Sequence, residues 1–203
     1  MAVITISKQP GAGGEALGKM IADKLGYTYA DRDIIQMIAK AANVSPEWVE
    51  AFENEAGTKL SRFIEMMVSQ RWMDRVLADE RGYLDEKIYL DYLVLMIARL
   101  ADEGDVVIAG RGSQYILDDH PDAFHILLIN SEENRIQFVM SHYNLSKKKA
   151  LQYIQNEEKR RTNLYKRIGK TDYENASLYD LVLNMSKYDL ESALQAICDL
   201  IPH

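Results

Sequence analysis

The stretch AVITISKQPGAGGEALGKMIADKLG, residues 2–26, decides the fold. It opens on a short apolar run rich in β-branched residues, which suit a pleated strand. The glycines Gly11, Gly13 and Gly14 follow at once, and then Leu17, Ile21 and Leu25 recur at i, i+4 and i+8, one face of a helix. Gly26 supplies the stop. Strand, glycine turn and helix in direct succession set backbone amides and a helix N-terminus at the strand's carboxyl end. Such a turn suits phosphate: residues without Cβ permit positive φ and close approach, and successive N–H groups with the helix dipole bind an anion without any charged side chain. A turn made for packing alone is the other reading of the same glycines.

Two registers compete for the loop. The pattern G-x-x-x-x-G-K runs formally from Gly13 to Lys19, but Met20 stands where Ser or Thr belongs. That register also draws helix-forming Glu15, Ala16 and Leu17 into the loop and sets Lys19 more than a turn into the helix. The loop is therefore placed at Lys8 to Gly14. Gly11, Ala12, Gly13 and Gly14, with Glu15 beside them, become the candidate phosphate-binding residues.

Outward from the loop, YTYAD reads as a second strand ending on Asp31, and DRDIIQMIAKAANVS as a helix through Ile34, Ile35 and Ile38. A helical region follows over about 45–103. Ser45, Pro46 and Glu47 form a helix start, and Ile64, Val68, Trp72 and Val76 make a ladder widened by Met67 and Met73. These Met-rich helices are either core or a homodimer surface. EKIYLDYLVLMIARLADEG is apolar nearly all round and is expected to be buried on most sides. DVVIAG, FHILLIN and DLVLN are continuous apolar runs of the kind central parallel strands need. Helical stretches lie between them: after Gly112, from Ser131 with Glu132 and Glu133 in the first turn, and around 146–168. A last helix carries Leu190, Leu194, Ile197 and Ile201 on one face. This alternation predicts an α/β fold, a five-stranded parallel sheet with helices on both faces, as one domain over 1–203.

Composition narrows the partners. Lys and Arg number 24 against 31 Asp and Glu, a net charge of -7, which argues against broad binding to nucleic acid or an anionic membrane. The lone cysteine, Cys198, excludes an intrachain disulfide and fits a reducing compartment. The N-terminus has no basic lead-in for a signal peptide, and IYLDYLVLMIARL is broken by Asp91 and too short for a bilayer. A cytoplasmic location is expected. His120, His125, His142 and His203 show no metal spacing.

The loop segment ITISKQPGAGGEALGKMIADKLGYTYADRDII, the later VVIAGRGSQYIL, and Tyr179-Asp180-Leu181 with Asn184 together resemble the cytidylate kinase-like branch of the nucleoside monophosphate kinases. The resemblance implies a three-layer P-loop fold with a helical insertion. It implies transfer of the γ-phosphate of ATP, with Mg²⁺, to a nucleoside monophosphate or another small phosphorylated acceptor. Arg111 falls on the element that meets the monophosphate. Glu158, Arg161 and Tyr165, with Arg160 and Arg167, fall in a lid at about 155–172.

Against a standard cytidylate kinase loop, however, the lysine position is Gly14, the threonine position Ala16 and the strand-end acid Ala109, and within the kinase-like branch the frequent arginine after the glycines is Glu15. Phosphoryl transfer rests on positioning and on cations that stabilise charge, so other cations must substitute. Lys8, Arg32 and Arg111 lie at or just past strand ends, where open α/β sheets bind ligands. Arg161, three and four residues after Glu158 and Glu157, is held for the developing charge. Asp31 is the candidate Mg²⁺ contact, with the N-cap of the next helix as its other reading. Three functions stay open: a phosphotransferase, a non-catalytic nucleotide or phosphate sensor that keeps only the loop, and a dimeric scaffold.

Overall fold

The structure, a computed structural model, describes residues 2–41, 43, 46 and 86–201. For residues 32, 33, 86 and 87 it describes the backbone alone. Numbered among the described residues, the elements run β1 (Val3–Lys8), α1 (Gly14–Leu25), β2 (Thr28–Ala30), α2 (Arg32–Ala41), α3 (Glu86–Glu103), β3 (Val106–Ala109), α4 (Ser113–Ile116) and β4 (Ala123–Ile129). After these come α5 (Glu132–Tyr143), α6 (Lys147–Arg167), a 3-10 turn (Ala176–Leu178), β5 (Leu181–Asn184) and α7 (Leu190–Cys198).

The five segments read as strands all become strands, paired in parallel in the order β2-β3-β1-β4-β5. β1 is central, with Ile6 opposite Ala109 of β3 and Ile126 of β4. Strand order reverses beside β1, so the crevice outside the carboxyl ends of β1 and its neighbours is the place where such sheets take ligands. Along β1, Ile4 and Ile6 enter an apolar cluster with Leu17 and Ile21 of α1 and with Ala193, Leu194 and Ile197 of α7. Val3, Thr5 and Ser7 alternate to the opposite face and are equally buried. Both faces are thus covered, and each buried Ile or Leu adds about 1.5–3 kcal/mol relative to exposure.

The chain forms two compact units, residues 1–31 with 97–203, and residues 32–96. The first contains the sheet. Its helices start where the sequence indicates: the Ser131 side chain accepts from Asn134 N at 3.3 Å, and Asp189 from Ser192 N at 2.8 Å. In the second, α2 buries Ile34, Ile35 and Ile38, and Tyr92 Oη donates to the Ala41 carbonyl at 3.0 Å.

α3 corrects one expectation. Ile88, Tyr89, Leu93, Met96 and Ile97 are buried, but Val94 and Leu95 stand 48% and 56% exposed. The helix therefore buries one stripe rather than most of its sides, because an apolar residue is covered only where its helical position meets a neighbour. Most of the 45–103 region, including Ser45, Val68, Trp72 and the Met-rich dimer surface, lies outside the described residues. Among the described residues no helix is long and apolar enough to cross a membrane.

Candidate active site

The loop after β1 is built as its glycines require. Gly11 and Gly13 take φ of 84° and 80°, the left-handed region where L-residues are strained. A Cβ on Gly11 would lie 2.8 Å from Arg135 O and 2.9 Å from Arg135 Cβ, so the first turn of α5 packs directly against the loop. Gln9 N donates to Leu128 O, and Ala12 N to Gln9 O, both at 3.0 Å. Gly13 caps α1 without a side-chain hydrogen bond, which leaves first-turn amides for a ligand.

On the other side of the crevice, Gly110, Arg111 and Gly112 all have positive φ, at 70°, 57° and 72°. Gly110 N donates to Ile6 O at 2.9 Å, which holds this turn beside β1. The Arg111 side chain is 9% exposed and pairs with Asp31 Oδ1 at 3.5 Å. Asp31, at the end of β2, thus faces a guanidinium.

The charged helix α6 completes the site. Tyr165 is buried, its hydroxyl accepting from Gln114 Nε2 at 2.9 Å and lying 3.3 Å from Ser7 Oγ. Its ring stacks on Tyr173 with centroids 4.1 Å apart. A Cβ on Gly112 would lie 2.8 Å from Ile168 Cδ1. The end of α6 is therefore seated across the carboxyl ends of β1 and β3.

One turn earlier, Arg161 Nη1 donates to Glu174 Oε1 at 2.5 Å, sits 3.5 Å from Glu158 Oε1, and faces the Tyr173 ring at 4.7 Å. Burial works against its charge, but the hydrogen bond to Glu174 and the neighbouring carboxylates hold it above its ordinary range. Glu174 also accepts from Gln9 Nε2 at 3.2 Å, and Arg135 Nη1 lies 3.9 Å from Glu158 Oε2. Gln9, Glu174, Arg161, Glu158 and Arg135 so form a polar chain from the loop to α6 and α5. A cavity of about 310 Å³ opens there, lined by Gln9, Arg135, Glu158 and Glu174 with apolar Ile136 and Leu151.

The structure brings together the loop, Lys8, Arg111, Asp31, Arg161 and Tyr165. It sets others apart. Glu157 pairs with Arg160 at 3.1 Å rather than with Arg161, because on α6 the i, i+3 spacing serves that pair. Glu15 turns to Lys19 at 2.8 Å on the surface of α1. Arg167 ends α6, and the side chain of Arg32 lies outside the description. Arg135 and Glu174 escaped the sequence reading, and Gln9, inside the loop placed at Lys8 to Gly14, received no role of its own there. For Arg135 a signal existed: the first turn of a helix that follows a central strand lies at the carboxyl edge of the sheet.

Phosphate fits these residues. Arg161 Nη2 and Arg135 Nε are buried with no hydrogen-bond partner among the described residues, two donors suited to an anion. A dedicated metal cage does not fit. Among the described residues no cluster of His, Cys, Asp or Glu suits a metal ion.

Comparison with known proteins agrees with this geometry. The model of the cytidylate kinase-like family matches residues 3–187. A cytidylate kinase of Methanocaldococcus jannaschii is 26% identical over 202 residues, spanning 98% of this chain and 97% of that protein. Among solved structures, an uncharacterized protein from Eubacterium ventriosum is similar at a TM-score of 0.68 and 16% identity, covering 99% of this chain and 98% of its own. A shikimate kinase from Bacteroides thetaiotaomicron follows at 0.51 and 15%, covering 98% and 97%. These structures share the P-loop kinase-type α/β fold. With the family model spanning the loop, the Gly-Arg-Gly turn and α6 alike, the chain belongs to the cytidylate kinase-like family.

Proposed function

We propose that this protein is a phosphotransferase that moves the terminal phosphoryl group of ATP to a nucleoside monophosphate, with cytidylate the first acceptor to test. The observation that carries the reading is the juxtaposition of an amide-lined glycine loop with two buried guanidinium donors beside the strand-order reversal. In this reading the amides of Gly11 to Gly14, followed by Glu15, hold the donor phosphates. Arg111 orients the acceptor phosphate, kept in place by Asp31. Arg161 stabilises the charge that develops on the transferred group, with Lys8 and Arg135 adding cations, and Arg160 and Arg167 flank it on α6. Tyr165 is a positioning residue: its hydroxyl ties α6 to Ser7 and Gln114. Mg²⁺ would be held chiefly by phosphate oxygens and water, with Asp31 the candidate carboxylate, and would supply neutralisation of the phosphate charge.

A second reading, a nucleotide sensor without turnover, has an observation of its own: Arg161 is engaged by Glu174 and Glu158. ADP release from ATP and Mg²⁺ over a panel of monophosphates decides between them. The kinase reading expects release stimulated by CMP and reduced about 100-fold or more in Arg161→Ala. Saturable nucleotide binding with no ADP formed from any acceptor establishes the sensor instead.

A further inference from the structure

In a P-loop the lysine follows the last glycine of the turn, at the first residue of the helix, and reaches the terminal phosphates. Here that residue is Gly14, which opens α1 directly after the left-handed Gly13. The space beside it is taken. A Cβ built on Gly14 would lie 2.4 Å from Lys8 Cδ, 3.0 Å from Lys8 Cβ and 3.2 Å from Lys8 Cγ. The stem of Lys8 therefore fills the volume in which a side chain at residue 14 would begin, and a side chain there would require that stem to move.

We propose that Lys8 is the phosphate lysine of this protein, moved from the helix to the end of the strand, and that residue 14 is glycine to make room for it. This inference rests on the phosphate-transfer reading and deepens it. The two places are neighbours in space. Lys8 is the last residue of β1, and its Cδ already lies where the side chain of residue 14 would start, so only Cε and Nζ extend beyond that point. The arm is shorter than a lysine at 14 would offer, and it keeps the ammonium at the loop. The neighbouring carboxylate does not compete for it, because Glu15 is paired with Lys19 at 2.8 Å. One cation at the loop is thus retained while its place in the sequence changes, and the G-K signature disappears without the charge disappearing.

The test is titration of the full-length protein with inorganic tripolyphosphate by calorimetry, with thermal melts of every variant. Lys8→Met keeps an apolar stem out to Cε over Gly14, with sulfur in place of Cδ, and removes the ammonium. It is expected to bind about tenfold or more weakly at an unchanged melting temperature. Lys8→Arg, which keeps the charge, retains binding. The exchange Lys8→Ala with Gly14→Lys returns most of what Lys8→Ala loses, since the cavity left by one stem admits the other. Lys8→Met binding like the wild type overturns the proposal and leaves the proposed function standing. So does an exchange variant that folds yet binds no better than Lys8→Ala. If the exchange variant fails to fold, the contrast between Met and Arg at position 8 decides alone. A wild-type protein that binds no tripolyphosphate removes the proposed function, and the role of Lys8 with it.

Discussion

At the scale of single residues, the loop is governed by what cannot be added to it. Gly11 combines a φ of +84° with a backbone wall, Arg135 O, 2.8 Å from any Cβ. Left-handed backbone alone costs an L-residue about 1–2 kcal/mol, and forcing a methyl against an unyielding neighbour adds about 1–3 kcal/mol. Gly26 separates the two effects, since its φ is +71° and nothing among the described residues lies within 4 Å of its Cβ position. Gly11→Ala is therefore expected to lower unfolding free energy by about 2–5 kcal/mol, and Gly26→Ala by about 1–2 kcal/mol. Urea unfolding measures both. Equal losses would mean that α5 yields to the loop, and that the close packing of Arg135 does not set its shape.

At the scale of elements, α6 shows what periodicity reveals and what it leaves hidden. Its existence follows from charged helix formers and the Glu158–Arg161 spacing, both plain in the sequence. Its docking does not, because Tyr165 meets Ser7 and Gln114, and Arg161 meets Glu174, through contacts that no local pattern encodes. β1, β3 and β4 were legible because parallel strands buried on both faces must be continuously apolar, whereas the short edge strand β2 has its Thr28 exposed. The loop was legible because glycine is required where φ is positive. Arg135 and Glu174 were not, since an isolated arginine or glutamate on a polar segment has no signature until the fold sets it beside the loop.

The Glu174 contacts carry a consequence. One carboxylate holds both Gln9 of the loop and Nη1 of Arg161 on α6, so its negative charge opposes a phosphate drawn to the Nη2 of the same guanidinium. Glu174→Gln removes the charge and retains the shape. Discounted for the partial exposure of Glu174, it is expected to tighten ATP binding about fivefold. The gain should vanish in an Arg161→Ala background, as a double-mutant cycle by calorimetry would register. Weaker binding in Glu174→Gln would instead make Glu174 a support that aims Arg161 at the ligand.

At the scale of the whole molecule, the sheet is joined at its opposite end by a buried polar cluster. His125 of β4 is 8% exposed, its Nδ1 hydrogen-bonded to Thr5 Oγ1 of β1 at 2.7 Å, and its backbone N donates to Asp180 Oδ2 beside β5 at 2.7 Å. Three neighbouring strands thus meet at one histidine, through its ring on the β1 side and its backbone N on the β5 side. Burial disfavours the charged ring and lowers its pKa below the ordinary histidine value, outweighing the opposite pull of Asp180. The sign follows from proton counting: as pH falls, the unfolded chain takes up the proton near its ordinary pKa of about 6.5, while the folded chain still resists. Stability contributed by the neutral ring is therefore full above about pH 6.5 and is lost as pH falls toward the lowered folded value. Urea unfolding between about pH 7.5 and 5 should show stability declining with acid in the wild type and a shallower decline in His125→Gln. Gln keeps a hydrogen-bonding group near Thr5 and cannot titrate, so its absolute stability reports packing while its slope reports the proton. An identical slope in both proteins would show that other groups set the acid sensitivity of the fold, and that the three-strand junction tolerates a charged ring.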